Sequence, residues 1–243
     1  MKRVLQDELI RRWPGVFRGR DRPLTQSLMA FGCECGDGWY PILDALCETL
    51  TKHAEELGRE PPEAIQIKEK YASLRFYVDA ADDIDYGAIW MAETLSFRIC
   101  ELTGAPGVGC VHGGYHQTLA PSIAERKGFV LYQEERSRRL PPVPSDEAAD
   151  LLKLRRPEIS VGTVEVAPGW FDLVDILLGQ LDHSPTPDKP ANGRVFDLRS
   201  RDGRLIIEFE GGRASDAGAI AFAAAMSTRI DPATGAAHVP VLE

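Results

Sequence analysis

The stretch ECGDGWYPILDALCETL at residues 34–50 is answered by EVAPGWFDLVDILLGQL at residues 165–181, and the two align without a gap at an offset of 131. The same offset extends the alignment over residues 34–105 and 165–236, with eighteen identities in 72 positions. Average composition gives roughly one match in sixteen by chance, so the chain reads as a duplicated unit. The shared residues include Glu34/Glu165, Trp39/Trp170, Asp44/Asp175, Asp85/Asp216, Gly87/Gly218, Ser96/Ser227, Arg98/Arg229 and Thr103/Thr234.

Each copy supports the reading of the other. Trp39, Ile42, Leu43, Leu46, Cys47 and Leu50 recur at i, i+3, i+4, i+7, i+8 and i+11, as do Trp170, Leu173, Val174, Leu177, Leu178 and Leu181. That spacing predicts an amphipathic helix with a core-facing tryptophan at its start. Ile65 to Lys70 and Leu74 to Val78 alternate with period two, as do Phe196 to Arg201 and Leu205 to Phe209, and Asp202-Gly203 between the latter pair is a strong hairpin signal. Asp85 and Asp216 precede Ala/Ile/Gly-rich helical patterns and read as N-caps. A second short hairpin near Thr103-Gly104 and Thr234-Gly235 is expected to end each unit, and a short strand around Cys33 to Cys35, or Val164 to Val166, to precede it.

The fold class that follows is α+β: two tandem copies of an α-β-β-α(-β-β) unit packed as a pseudo-dimer. Residues 1–30 form an N-terminal helix and loop, the helix running through Leu5, Leu9 and Trp13 to Pro14. Residues 31–120 are the first repeat, and 161–243 the second. Residues 121–160, with Pro141-Pro142-Val143-Pro144 and a short helix from Ser145, are a Pro/Arg-rich linker.

Composition narrows the function classes. With Lys+Arg 28 against Asp+Glu 37 the net charge is −9, so general attraction to nucleic acid or an anionic membrane is not expected, whereas a basic protein is a natural partner. No apolar run reaches the roughly 18 residues of a membrane span, and Asp7 and Glu8 interrupt any leader; the expected compartment is the cytoplasm. The five cysteines are an odd number, which favours reduced thiols over a disulfide framework.

Three spaced motifs carry a family resemblance: Glu34-Cys35-Gly36-Asp37-Gly38-Trp39-Tyr40, then Lys68-Glu69-Lys70-Tyr71 with Leu74-Arg75-Phe76-Tyr77-Val78, then Cys100 with Gly104-Ala105-Pro106-Gly107. Over about residues 10–110 the chain resembles a widespread uncharacterised family of small proteins encoded in bacteriophages, prophages and bacterial genomes. Members often carry a zinc-knuckle-like Cys-x-x-Cys-Gly where this chain has Cys100-Glu101-Leu102-Thr103-Gly104, so the second cysteine is here Thr103.

Candidate sites fall into three groups. Cys100, Cys110, His112 and His116 lie within 17 residues and offer thiol and imidazole ligands suited to zinc, the one candidate cofactor. Cys33, Cys35 and Cys47 align with Val164, Val166 and Leu178 and read as strand and core residues; His112 to His116 also fits a Gly-rich surface loop. Asp79, Asp82 and Asp83 form an acidic patch suited to binding a basic partner, and Arg136, Arg138 and Arg139 a basic patch in the linker. No catalytic residues are assigned. Gly36-Asp37-Gly38 lacks the length and lysine of a phosphate loop, and Arg98 is expected to pair with Asp44 or Glu34 within its own unit.

The expected function is that of a non-enzymatic binding protein, an inhibitor or antagonist in phage–host conflict, anti-CRISPR-like, or in toxin immunity. The alternatives are a metal-assisted hydrolase acting through Cys100, Cys110, His112 and His116, and a nucleic-acid-binding module using the basic linker.

Overall fold

A computed structural model describes residues 1–132, 145–156, 159–183 and 193–242. It is a mixed α+β protein with small sheets. After α1 (Arg3–Arg12), the strand β1 (Cys33–Glu34) leads through a 3-10 turn into α2 (Tyr40–Glu56). The hairpin β2 (Ala64–Lys70) and β3 (Ser73–Val78) and the helix α3 (Asp83–Leu95) follow. The same order recurs as β7 (Ser160–Glu165), α6 (Phe171–Asp182), β8 (Gly193–Arg201), β9 (Arg204–Gly211) and α7 (Ala214–Ser227). Between them lie β4 (Val108–His112), β5 (Tyr115–Leu119), α4 (Pro121–Arg126), β6 (Val130–Leu131) and α5 (Ser145–Arg155). Thus α4 and β6 occupy the start of the segment expected to be a linker, and β6 pairs with β4.

The helices and strands follow from the alternations in sequence. Pro41 sits at the start of α2, where a missing N–H costs nothing, and Gly58 just beyond its end takes φ 64°. In the first sheet β1 runs parallel to β2 and β2 antiparallel to β3; in the second β7 runs parallel to β8 and β8 antiparallel to β9. Asp202 and Gly203 join β8 to β9 with φ 52° and 73°, the two positive values a tight hairpin turn demands. Gly113 and Gly114 do the same for β4 and β5, so the expected His112–His116 loop is a two-residue turn between strands. The expected closing hairpins shrink to one isolated bridge in each half, Ile99 with Pro106 after a 3-10 turn and Ile230 with Ala237.

Corresponding residues make corresponding contacts. Trp39 and Trp170 are buried, and their indole N–H groups donate to Ile99 O (2.8 Å) and Ile230 O (3.2 Å). The hydroxyls of Ser96 and Ser227 accept from Leu74 N (2.8 Å) and Leu205 N (2.9 Å). Burying each tryptophan with its N–H satisfied lets its large apolar surface count fully toward stability.

The two halves share one core, with α3 packed directly on α7. A methyl group added at Gly87 would lie 1.8 Å from Ser215 O, and one at Gly218 1.8 Å from Ile84 O. Backbone on backbone at that distance leaves room for hydrogen alone. Beside this crossing, Arg229 reaches over to the buried Asp44: its Nε donates to Oδ2 (2.8 Å), and a terminal nitrogen binds Glu48 Oε2 (2.7 Å). Arg12 (2.9 Å) and the Trp13 indole (2.8 Å) take Asp44 Oδ1. The expected partner of Asp44, Arg98 of its own unit, is therefore replaced by the corresponding arginine of the other half. Asp175, the counterpart of Asp44, is held by Arg155 and Arg156, each at 3.0 Å.

Gly87→Ala and Gly218→Ala should each lower the free energy of unfolding by about 1–3 kcal/mol, the usual range for forcing atoms into a filled core. Urea unfolding followed by tryptophan fluorescence measures this; a shift below about 0.5 kcal/mol for both variants would show that the helices can separate at little cost.

Candidate functional site

Helix α3 begins at a network of charged groups. Asp82, in extended conformation, caps it by accepting from Asp85 N (2.9 Å), and Asp85 Oδ2 accepts from Asp82 N (3.1 Å). This reciprocal capping box corrects the assignment of Asp85 as the cap: it occupies the third helical position and reaches back. Asp216 does the same toward Arg213 N (2.7 Å), so the shared aspartate marks that position in both halves.

Basic side chains from the end of α2 contact the box. His53 Nε2 lies 2.9 Å from Asp82 Oδ2, and Arg59 donates to Asp82 Oδ2 (2.9 Å) and Asp85 Oδ2 (2.6 Å). Partial burial acts to raise the Asp82 carboxyl, but the Asp85 N–H, His53 and Arg59 outweigh it and hold it at about 2. The ligand atoms of His53, Asp82 and Asp85 all lie within 4.8 Å of one another, a spacing that could hold a metal ion. Arg59 already supplies positive charge there, and in the second half Arg213 plays that part for Asp216 with contacts of 2.6 and 3.2 Å. The repeated guanidinium makes the arrangement a staple between a helix end and the next helix start.

The three residues of the expected acidic patch have different surroundings. Asp79 Oδ1 accepts from Glu63 N (3.0 Å), Asp82 is in contact with Arg59 and His53, and Asp83 is exposed. One and two turns further along α3, Tyr86 and Trp90 stand on the surface, 38% and 53% exposed, their rings stacked at 5.9 Å and 24°. Their counterparts are Ala217 and Ala221. Sequence reasoning missed both aromatics, together with His53 and Arg59. The available signal was the replacement of alanine by large aromatics at i and i+4 in an otherwise small-residue helix.

The four proposed zinc ligands do not form one site. In the β4–β5 ladder Val111 faces His116, so His116 projects on the side of the sheet away from Cys110 and His112. Cys100 and Cys110 lie in a small apolar cluster with Leu119, Ala120 and Ala124, and the Cys110 thiol donates to Gln117 O (3.1 Å). His112 Nδ1 lies 2.8 Å from Gly128 O, and His116 is packed between the rings of Tyr71 and Tyr132. Alternation along the strand separates what sequence proximity had grouped. Arg136, Arg138 and Arg139 lie outside the described residues.

Among the described residues no helix is long and apolar enough to cross a membrane. Comparison with family models, with curated proteins and with solved structures gives no match.

Two measurements follow. Burial pushes the Cys33 thiol up to about 12 and the Cys110 thiol to about 11, and all five cysteines are buried and unpaired. A thiol reagent at pH 8 should label the native protein slowly and all five positions once it is unfolded; rapid labelling of the native state would overturn this burial. Asp82→Asn should keep the cap and lose the ion pairs. Because the folded carboxyl is depressed from 3.8 to about 2, its contribution is present above pH 4 and disappears as the pH falls toward 2. Urea midpoints of the two proteins should therefore differ at pH 7 and converge at pH 2.

Proposed function

We propose that this protein acts by binding another protein through the exposed edge of α3, and that the two halves are a duplicated pair packed as a pseudo-dimer that holds this edge rigid. The repeated order of strands and helices and the reciprocal contacts at Gly87 and Gly218 support the duplication. The single observation that carries the binding function is the stacked, exposed Tyr86–Trp90 pair. Tyrosine and tryptophan contribute much of the binding energy at protein interfaces, because they bury large area with few rotatable bonds. A stacked pair on a rigid helix is already ordered before binding, which lowers the entropic cost of association.

Asp83, one turn before Tyr86, adds a negative charge beside the anchor and suits a partner with a basic rim, such as a protein that itself binds nucleic acid. An antagonist role in phage–host conflict, anti-CRISPR-like, or in toxin immunity, is consistent with the phage-like motifs and the net charge of −9. Such a protein works by occupancy, and the proposal assigns it no catalytic step.

The test compares proteins retained from host lysate by the wild-type chain and by Trp90→Ala, followed by affinity measurement on the isolated pair. Loss of an anchor worth about 2 kcal/mol corresponds to roughly 30-fold weaker binding. Tyr86→Ala should weaken the same complex, and neutralising Asp83 should slow association at low salt. Identical retention and affinity for wild type and Trp90→Ala would overturn the proposal.

A further inference from the structure

The first sheet has a second face, turned away from the helices. Ile67, Leu74 and Phe76 point into the core, so alternation places Gln66, Lys68, Lys70, Arg75 and Tyr77 on the opposite side. Lys68 Nζ lies 5.5 Å from the centre of the Tyr77 ring, and Lys70 Nζ 5.6 Å from that of Tyr71. Tyr71 is 69% exposed, and its ring meets His116 edge-on at 6.2 Å, which in turn stacks on Tyr132 at 5.4 Å. Cations and rings thus alternate from Tyr77, across the hairpin tip, to the edge of β5.

Three features separate this face from an ordinary solvated one, and the other half of the molecule supplies the control. At the position of Lys68 the second sheet has Arg199, bound by Asp197 and Glu208; in the first sheet those two acids are replaced by Gln66 and Tyr77. Among the described residues Lys68 and Lys70 have no carboxylate within ion-pair distance. Arg75 lies 3.7 Å from Glu93, and Glu34 neighbours Lys68 across the ladder. Glu69 is turned inward to accept from Ala72 N (2.7 Å).

The second sheet makes its turn with Asp202-Gly203, residues suited to positive φ, whereas the first uses Tyr71 and Ala72 at φ 52° and 66°. A bulky residue in that region is strained, and strain kept at an exposed tip accompanies function more often than it serves stability. Here it projects a tyrosine ring into solvent beside a lysine.

We propose that this face binds single-stranded nucleic acid, with bases stacking on Tyr71 and Tyr77 and phosphates held by Lys68, Lys70 and Arg75. Exposed aromatics on a sheet interleaved with cations are the physical requirement for gripping an unpaired strand without reading its sequence. A duplex hides its bases, so it offers this surface phosphate alone. The net charge of −9 limits long-range attraction, so binding is short-ranged and weak until the rings engage. This surface shares no residue with the Tyr86–Trp90 edge, and the two proposals stand or fall separately.

Fluorescence anisotropy with labelled fifteen-nucleotide oligo-dT and oligo-U, and a duplex of equal length, tests it. Both single strands should bind the full chain at low salt and the duplex at least tenfold more weakly; the ratio of dT to U shows whether the 2′-hydroxyl contributes. Three neutralised phosphates give a slope of log affinity on log salt of roughly −2, or about 16-fold between 50 and 200 mM. Lys68→Gln with Lys70→Gln should weaken binding about tenfold and flatten that slope, and Tyr77→Phe should leave binding within about twofold while Tyr77→Ala weakens it. Arg199→Gln, on the other sheet, should change nothing. Absence of binding by both single strands at 100 µM protein, or binding equal in the lysine variant and wild type, would overturn the proposal; equal affinity for the duplex would too.

Discussion

The structure depends on one close approach, the crossing of α3 and α7 at Gly87 and Gly218. Each glycine is pressed against a backbone carbonyl of the other helix, so the contact is possible where neither helix carries a Cβ. Glycine within a helix costs about 0.5–1 kcal/mol relative to alanine, and that cost is offset by the core the crossing allows the halves to share. From the crossing follow the position of Arg229 against Asp44 and Glu48, and the donation from Gln180 to Gly87 O at 2.9 Å. Charged contacts thus cross the seam between the halves. Removing one partner of such a buried contact leaves a charge without a partner, which is costly.

The matching order of elements in the two halves makes their differences informative. Alternation and capping are preserved: the tryptophan, the aspartate at the third helical position and the serine that accepts from a strand N–H have the same contacts in both. What differs is on the surface. Ala217 and Ala221 face Tyr86 and Trp90 in the alignment, Glu208 faces Tyr77, and Asp202-Gly203 faces Tyr71-Ala72. In each pair the first half carries the larger aromatic or strained residue, and the second the residue that a stable surface prefers. Their placement is the physical basis of the two interaction surfaces proposed for the first half.

The charged cluster at the start of α3 shows how tertiary neighbours change the meaning of a local motif. Asp79, Asp82, Asp83 and Asp85 look like a negative patch in sequence. In the fold Arg59 and His53 arrive from the end of α2 onto Asp82, Arg59 also holds Asp85, Asp79 turns onto the Glu63 N–H, and Asp83 is left exposed. Similarly, the two-residue alternation of a β-ladder parts His116 from Cys110 and His112, although all lie within a few residues of one another. Nearness along a chain predicts nearness of side chains when the period of the backbone brings them to one face, and here it does not.

The sequence alone determined the helix that starts at each tryptophan, the hairpin and helix that follow it in each half, the turn at Asp202-Gly203 and the buried tryptophans, because hydrophobic period, turn chemistry and burial are properties of neighbouring residues. The alignment of residues 34–105 with 165–236 strengthened this by showing each pattern twice. It left undecided which half would supply the cation for Asp44, that α4 and β6 would fold back onto β4, and that Lys68 would stand over Tyr77 without an acid. Those outcomes depend on contacts between residues up to 185 positions apart, such as Arg229 with Asp44. No local period encodes them, and they appear when packing brings two surfaces to within a few ångströms of each other.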